Sequence, residues 1–249
     1  MNIAVYGYGN MGKLVCDEVQ KDSELNFVAA IDPFIKEETD KIYNSLNNVK
    51  EKIDVIIDFS NPANIDEILE YCTKNNTNLV LATTGFSEEQ ETKIEETSKK
   101  VGVLKAANTS LGVNLIAETI KYFAQTLYEN FDIEIIEKHH NQKVDSPSGT
   151  AKLFFNAINN SLPEKKEAVN GREGIVGKRT KNEIGIHAVR GGSIVGEHTI
   201  IFAGTDEIIE VKHEALSKRI FAKGAVIAAK YMVGKPAGSY KMKEVLNLK

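Results

Sequence analysis

Through the first half of the chain, apolar residues come in short blocks whose internal spacing alternates between two periods. Residues 3–6 (IAVY) form a compact apolar run that ends at Gly7. From Met11 the apolar positions recur at helical spacing, at Met11, Leu14, Val15 and Val19. A second run, 25–31, closes at Asp32 and Pro33. A third, 55–59 (VIIDF), is apolar at adjoining positions, which predicts a strand buried on both faces. Pro62 opens a predicted helix carrying Ile65, Ile68, Leu69 and Cys72. Residues 79–82 and 101–104 predict two more strands. Between them, Ser87 and Gln90 have the spacing of a capping box for a polar helix running to about Lys100. Strands alternating with helices imply right-handed crossovers and a parallel sheet.

After Asn108 the pattern changes. Leu115, Ile116, Thr119, Ile120, Phe123 and Leu127 mark an amphipathic helix, and Ile133, Ile135 and Ile136 a strand. Pro147 and Ser148 then open a helix with Leu153, Phe154, Ala157 and Ile158. Residues 163–182 are polar and hold Gly171, Gly174 and Gly177, which predicts a long mobile loop. Three strand-like runs follow, 184–189, 193–202 and 207–213, separated by Gly191-Gly192 and by Gly204-Thr205-Asp206. Their glycine spacers predict a mixed sheet fed by hairpins. A last helix, 217–233, turns Phe221, Ala225, Val226, Ala228 and Ala229 inward, as packing against the first domain would require. The expected organisation is one domain of residues 1–108 plus 216–249, with residues 109–215 inserted as a second.

The chain's 249 residues are enough to bury such cores, and 42% hydrophobic and 27% charged residues is an ordinary globular balance. The net charge of −4 argues against general nucleic-acid binding, which needs a basic surplus. No apolar run reaches the roughly eighteen residues of a membrane span. The opening MNIAVYGYGNMGK lacks the basic region and cleavage site of a signal peptide, so a cytoplasmic protein is expected. Cys16 and Cys72 each sit among apolar residues and lack CxxC spacing, so both read as buried thiols.

Ligands of open parallel sheets lie at the carboxyl ends of the strands. The residues at those ends are small, polar or glycine: Gly7 to Gly12, Asp32, Phe59 and Ser60, Ala82, Thr83, Thr84 and Gly85, and Ala106, Ala107, Asn108 and Thr109. Gly7, Tyr8, Gly9, Asn10, Met11 and Gly12 spell G-x-G-x-x-G. On its own the pattern is weak. Here it follows a strand and opens a helix, the context a dinucleotide-binding loop needs. Gly7 would allow the tight turn, Gly9 a close approach to pyrophosphate, and Gly12 close helix–strand packing. Asp32 stands where a carboxylate can accept hydrogen bonds from the ribose hydroxyls and repel a 2′-phosphate. Pro33 and Phe34 supply no arginine to offset that repulsion, so NADH is favoured; Lys36 keeps NADPH open. The plain alternative is a glycine turn with no ligand.

One stretch, EKHHNQKVDSPSGTAK at 137–152, puts two histidines, three lysines and a Pro-Ser-Gly-Thr turn together. The helix opening at Ser148 offers backbone N–H groups and a positive dipole end to a carboxylate. Lys143 adds a point charge, and histidine is suited to proton transfer near neutral pH. His139 and His140 face opposite ways if the strand continues, and so would differ in role. A small di-acid is the fitting ligand. Adjacent histidines crowded by lysines are poor metal spacing, so no metal is expected. A solvated basic loop is the plain reading.

These residues resemble the 4-hydroxy-tetrahydrodipicolinate reductase (dihydrodipicolinate reductase) family. The family's E-x-HH-x-x-K-x-D-x-PSGTA signature appears as Glu137 to Ala151. VYGYGNMGK, IIDFSNP, ATTGF, AANTSLGVNL, GGSIVGEHTIIFAG and the ending KGAVIAAKYMVGKPAGSYKMKEVL are similar to further family segments, so the likeness covers nearly the whole chain. It implies an α/β fold with a Rossmann-type dinucleotide-binding domain and an inserted α+β domain on a mixed sheet for substrate and oligomerisation. It also implies NAD(P)H-dependent reduction of a cyclic imine dicarboxylate in the diaminopimelate route to lysine, with NADH, NADPH or both as cofactor, in a homotetramer. His139 would donate or accept the proton. Lys143 would assist and hold a substrate carboxylate, and His140, Ser148, Gly149 and Thr150 would bind substrate. Gly7 to Gly12, Asp32, Ala82 to Thr84 and Ala106 to Thr109 would bind the cofactor. Domain closure is expected about hinges near Asn108 and Leu216. Ser146 replaces the family's usual alanine. Asp32-Pro33 stands where some members have an acid followed by arginine, which argues against a strong NADPH preference. Three other readings are a different amino-acid dehydrogenase on the same fold, such as a homoserine dehydrogenase, a non-catalytic dinucleotide sensor that binds a protein or DNA partner, and a paralogue that keeps the fold without the activity.

Overall fold

The computed structural model describes residues 1–248, and the chain divides into two compact units, Met1–Leu111 with Arg219–Lys249, and Gly112–Lys218. In chain order, the first unit opens with β1 (Asn2–Tyr6), α1 (Asn10–Lys21), β2 (Asn26–Ile31), β3 (Ile42–Tyr43) and β4 (Val55–Asp58). It continues through α2 (Ile65–Asn75), β5 (Asn78–Leu81), α3 (Glu88–Ser98) and β6 (Gly102–Lys105). The predicted capping box is present: Gln90 N–H donates to Ser87 Oγ at 3.3 Å and Ser87 N–H to Gln90 Oε1 at 3.0 Å. Pro62 opens a 3₁₀ turn rather than the helix itself, because the Asn61 side chain accepts the Ala63 N–H and closes a tight turn first. Regular helix begins at Ile65.

The second unit comprises α4 (Leu111–Leu127), β7 (Asp132–His139), α5 (Gly149–Ser161), β8 (Glu167–Asn170), β9 (Glu183–Arg190), β10 (Glu197–Ala203) and β11 (Ile208–Glu214). The chain then returns to the first unit with α6 (Arg219–Met232), β12 (Gly238–Tyr240) and α7 (Met242–Val245). No described helix is long and apolar enough to cross a membrane.

In the first unit the strand order is β12-β6-β5-β4-β1-β2-β3, with every pair parallel. Residues of β1 alternate between two cores. Ile3 and Val5 pack with Val15 and Val19 of α1 and with Ala225 and Ala229 of α6. Ala4 and Tyr6 face Ile65, Ile68 and Leu69 of α2. Each core removes apolar surface from water, which stabilises the sheet on both sides. The last helix is tied down by Asn78, whose amide donates to the Met232 and Lys235 carbonyls (2.7 and 3.0 Å) while its Oδ1 accepts from Gly102 N–H at 2.8 Å. Both cysteines are buried as free thiols, and burial pushes Cys16 up to about 12.

The second sheet runs β11-β10-β7-β9-β8. It is mixed: β7 pairs antiparallel with β10 but parallel with β9, and β8 pairs parallel with β9. Only β10 and β11 form a hairpin among the strands predicted to do so. Gly191-Gly192 instead carries the chain from one side of β7 to the other. Glycine spacing signals a turn but does not say which strand lies between its arms. Alternate residues of β7 and β10, Ile133, Ile135, Ile200 and Phe202, form the core under α4 and α5 with Ile120 and Phe154.

The expectation of a loop at 163–182 is corrected in part, since residues 171–182 have no helix or strand but the segment before them does. Glu167–Asn170 is a strand, and the following segment is strapped across the sheet by arginines. Arg172 donates both Nη groups to Glu134 (3.0 and 2.9 Å), and Arg179 Nε reaches the same carboxylate at 2.9 Å. The polarity that marked the segment as loop is that of an ion-pair strap.

Candidate active site

Two clusters of sequence-predicted residues form, one in each unit. In the first, Gly7 follows β1 with φ +94°, a backbone state that favours glycine. A Cβ on Gly12 would lie 1.7 Å from the Gly7 carbonyl oxygen, so the loop and α1 can close only without one. Gly9 is the helix N-cap and provides no side-chain cap, and nothing lies within 4 Å of where its Cβ would stand. An uncapped helix start over an open glycine suits a pyrophosphate, so these residues fit a dinucleotide. Strand order reverses here, since β1 lies between β2 and β4. Asp32 directly follows β2, and its Oδ1 accepts the Phe34 N–H at 3.0 Å.

Beside this turn lies a buried acid that the sequence did not single out. Asp58, at the end of β4, accepts from Ser60 Oγ at 2.6 Å and Ser60 N–H at 3.1 Å, and Ser60 N–H also reaches Thr83 Oγ1 at 2.9 Å. Burial pushes the Asp58 carboxyl up to about 6, against those hydrogen bonds. Thr83 is buried and braces this turn, whereas Thr84 is exposed. Ala106 continues β6 by donating its N–H to Leu81 O at 3.0 Å, and Ala107 is exposed. Thr109 is buried, and its hydroxyl donates to Phe221 O of α6 at 2.7 Å.

In the second unit, β7 delivers Glu137 and His139 on its inward face. The Ile133, Ile135, Glu137, His139 alternation puts the acid and the imidazole side by side where the strand ends. His139 Nδ1 lies 2.6 Å from Glu137 Oε2. Arg190, from β9, grips both oxygens of Glu137 at 2.7 Å each, and Ser148 N–H donates to Oε1 at 3.0 Å. Ser148 Oγ accepts the Ala151 N–H at 3.1 Å to cap α5 and lies 2.8 Å from His198 Nε2. Both polar groups of Ser148 are thus engaged in the wall of the site, while Gly149 is exposed. The His198 ring stands edge-on to His139, with centroids 5.2 Å apart. Lys143 Nζ pairs with Asp145 Oδ1 at 2.6 Å. His140, past the strand end, is half-buried; Lys138 faces the other side and pairs with Glu197.

The charges follow from these contacts. Burial alone would raise the Glu137 carboxyl, but Arg190, His139 and the Ser148 amide together hold it below the usual range. Burial lowers His139, with Lys143 and Arg190 adding to the effect and Glu137 opposing it. His198 is pulled down to about 4, chiefly by burial, and is neutral near pH 7. The cluster therefore holds an ionised acid clamped by arginine, a neutral but protonatable imidazole and a lysine.

The N-terminal model of dihydrodipicolinate reductase matches residues 1–109, and the C-terminal model matches residues 112–246. The chain belongs to the dihydrodipicolinate reductase family. Proteins named 4-hydroxy-tetrahydrodipicolinate reductase from Clostridium novyi and Clostridium tetani are 52% and 48% identical to it. They cover 97% and 96% of this chain and 96% and 94% of their own lengths. A dipicolinate-bound dihydrodipicolinate reductase structure from Paenisporosarcina sp. TG-14 shares the fold at TM-score 0.81 and 24% identity, over 98% of each chain. A probable dehydrogenase from Thermotoga maritima is similar at TM-score 0.64 and 12% identity, over 98% of this chain and 92% of its own.

Membership in the dihydrodipicolinate reductase family fits the oxidoreductase reading and does not favour the homoserine-dehydrogenase alternative. The structure brings His139, Ser148 and the start of α5 together. It adds Glu137, Arg190 and His198, which the sequence reading gave no role. Glu137 had a visible signal, being a charged residue at an inward position of an apolar alternation. His198 had the same signal, on the inward alternation with Ile200 and Phe202, whereas Arg190 had none.

Proposed function

We infer that the chain reduces 4-hydroxy-tetrahydrodipicolinate, by way of dihydrodipicolinate, to tetrahydrodipicolinate in the diaminopimelate route to lysine. The carrying observation is the His139–Glu137–Arg190 cluster beside the start of α5, in a chain whose other unit holds a glycine cradle. Bound NADH or NADPH supplies the hydride. His139 supplies a proton through Nε2, and Lys143, braced by Asp145, holds one substrate carboxylate. Gly149, Thr150 and His140 receive the other, and Ser148 fixes the turn that presents them. Gly7 to Gly12 take the pyrophosphate, Asp32 the ribose, and Ala82 to Thr84 with Ala106 to Thr109 line the nicotinamide side. Asp32 with no following arginine favours NADH, because a carboxylate repels a 2′-phosphate. The working form is a cytoplasmic homotetramer assembled through the sheet of the second unit.

The test follows absorbance at the nicotinamide band, with freshly generated substrate and each cofactor in turn. NADH should turn over at the higher kcat/KM. His139→Ala and Lys143→Ala should each lower kcat by about 10²–10⁴-fold while NADH binding persists. Near-normal turnover in either variant would remove its assigned role.

A further inference from the structure

The carboxylate of Glu137 has room for four hydrogen bonds, two per oxygen, and as an anion it can only accept. All four places are filled. His139 Nδ1 and Arg190 Nη1 lie at Oε2, 2.6 and 2.7 Å away, and Arg190 Nη2 and Ser148 N–H lie at Oε1, 2.7 and 3.0 Å away. Every partner must therefore donate. Arg190 and the amide always do, but an imidazole does so only if its Nδ1 carries the proton.

We propose that Glu137 is a positioning residue that fixes His139 as the Nδ1–H tautomer, with Arg190 clamping Glu137 in place. The lone pair of the neutral ring then sits on Nε2, at the nitrogen that Gly196 leaves uncrowded: a Cβ there would come within 3.1 Å of it. On protonation the second proton goes to Nε2. During turnover the Nε2–H bond breaks as the proton passes to the substrate, and the neutral Nδ1–H ring remains, to be reprotonated from water. Glu137 keeps its charge throughout, so the cycle needs no second acid. The charged and titratable groups around the ring are Glu137 on its own strand, Arg190 from β9, His198 from β10 and Lys143 from the following loop.

This rests on His139 being the proton-transfer group, and its test is chosen to stand apart from that reading. Long-range ¹H–¹⁵N correlation on the uniformly labelled protein, with His139 assigned by comparison with His139→Ala, reads the tautomer directly. The wild-type ring should carry its proton on Nδ1 at neutral and mildly alkaline pH; an Nε2–H ring overturns the proposal. That measurement needs no turnover, and the variant serves only to assign the signal. Glu137→Gln presents an amide N–H toward Nδ1 once its carbonyl faces Arg190, so the ring should invert to Nε2–H. Its kcat should fall at least about tenfold with KM within about threefold. The alkaline limb of kcat should move to lower pH, because the charge that favoured the imidazolium is gone. Glu137→Asp should recover part of kcat and the limb. An unmoved limb and tautomer in Glu137→Gln overturn the proposal. Full turnover by His139→Ala overturns the functional reading instead.

Discussion

At Gly12 the difference between glycine and alanine is a collision with backbone. The added carbon would meet the Gly7 carbonyl oxygen at 1.7 Å, and that carbonyl belongs to a turn set by the positive φ of Gly7. Neither side can yield without opening the cradle. Gly12→Ala should therefore lower stability by about 1–3 kcal/mol and weaken NADH binding severalfold. Thermal unfolding and a fluorescence titration with NADH check the two effects, and an unchanged dissociation constant would show that the cradle does not hold the cofactor. Such glycines are legible in sequence because the motif encodes their spacing. Asp58 is not: it reads as the polar end of a buried strand, and its role in bracing Ser60 beside Thr83 depends on where β5 lies. Glu137 sits between these cases, since period-two alternation placed it inward while its arginine partner came from 53 residues away.

At the scale of elements, periodicity recovered the parallel half of the molecule almost strand by strand and lost the strap over β8 and β9. Strands with one apolar face announce themselves; a segment held by charges does not. Glu134 gathers Arg172, Arg179 and His187, the last at 2.7 Å through Nε2. Burial alone would raise its carboxyl, yet hydrogen bonds from Arg172, His187 and Arg179 hold it down to about 2. Unfolded, it would titrate near about 4.3. The folded value is the lower one, so this contribution is present above about pH 4.3 and is lost as pH falls toward about 2. Glu134→Gln should lower Tm near neutral pH by about 2–8 °C, for a loss of about 1–2 kcal/mol. The gap from wild type should close as the medium is acidified through that window. Circular-dichroism melts across pH check this, and a gap that stays constant down to about pH 2 would show that the network adds no pH-dependent stability.

At the scale of the whole molecule, what matters for assembly is the face of the second sheet opposite α4 and α5. Ile133, Ile135, Ile200 and Phe202 are buried against α4 and α5, while their neighbours Ile136, Thr199 and Ile201 point the other way and join none of the three cores. That outer face is neither greasy nor fully charged. Half-buried isoleucines are interleaved with the Lys138–Glu197–Lys212 ion pairs and the Glu134 cluster. A face of this composition stays soluble on one chain and can still bury apolar area against a copy of itself, as a two-fold contact requires. The homotetramer proposed above would use it. Sedimentation should give four chain masses for the wild type. Ile136→Glu combined with Ile201→Glu should place four carboxylates in each two-fold contact and shift the protein to smaller species. Far-ultraviolet circular dichroism should be unchanged, since neither residue belongs to a core. A wild-type protein that sediments as one chain, or a double variant that keeps the full assembly, would remove this face from the contact.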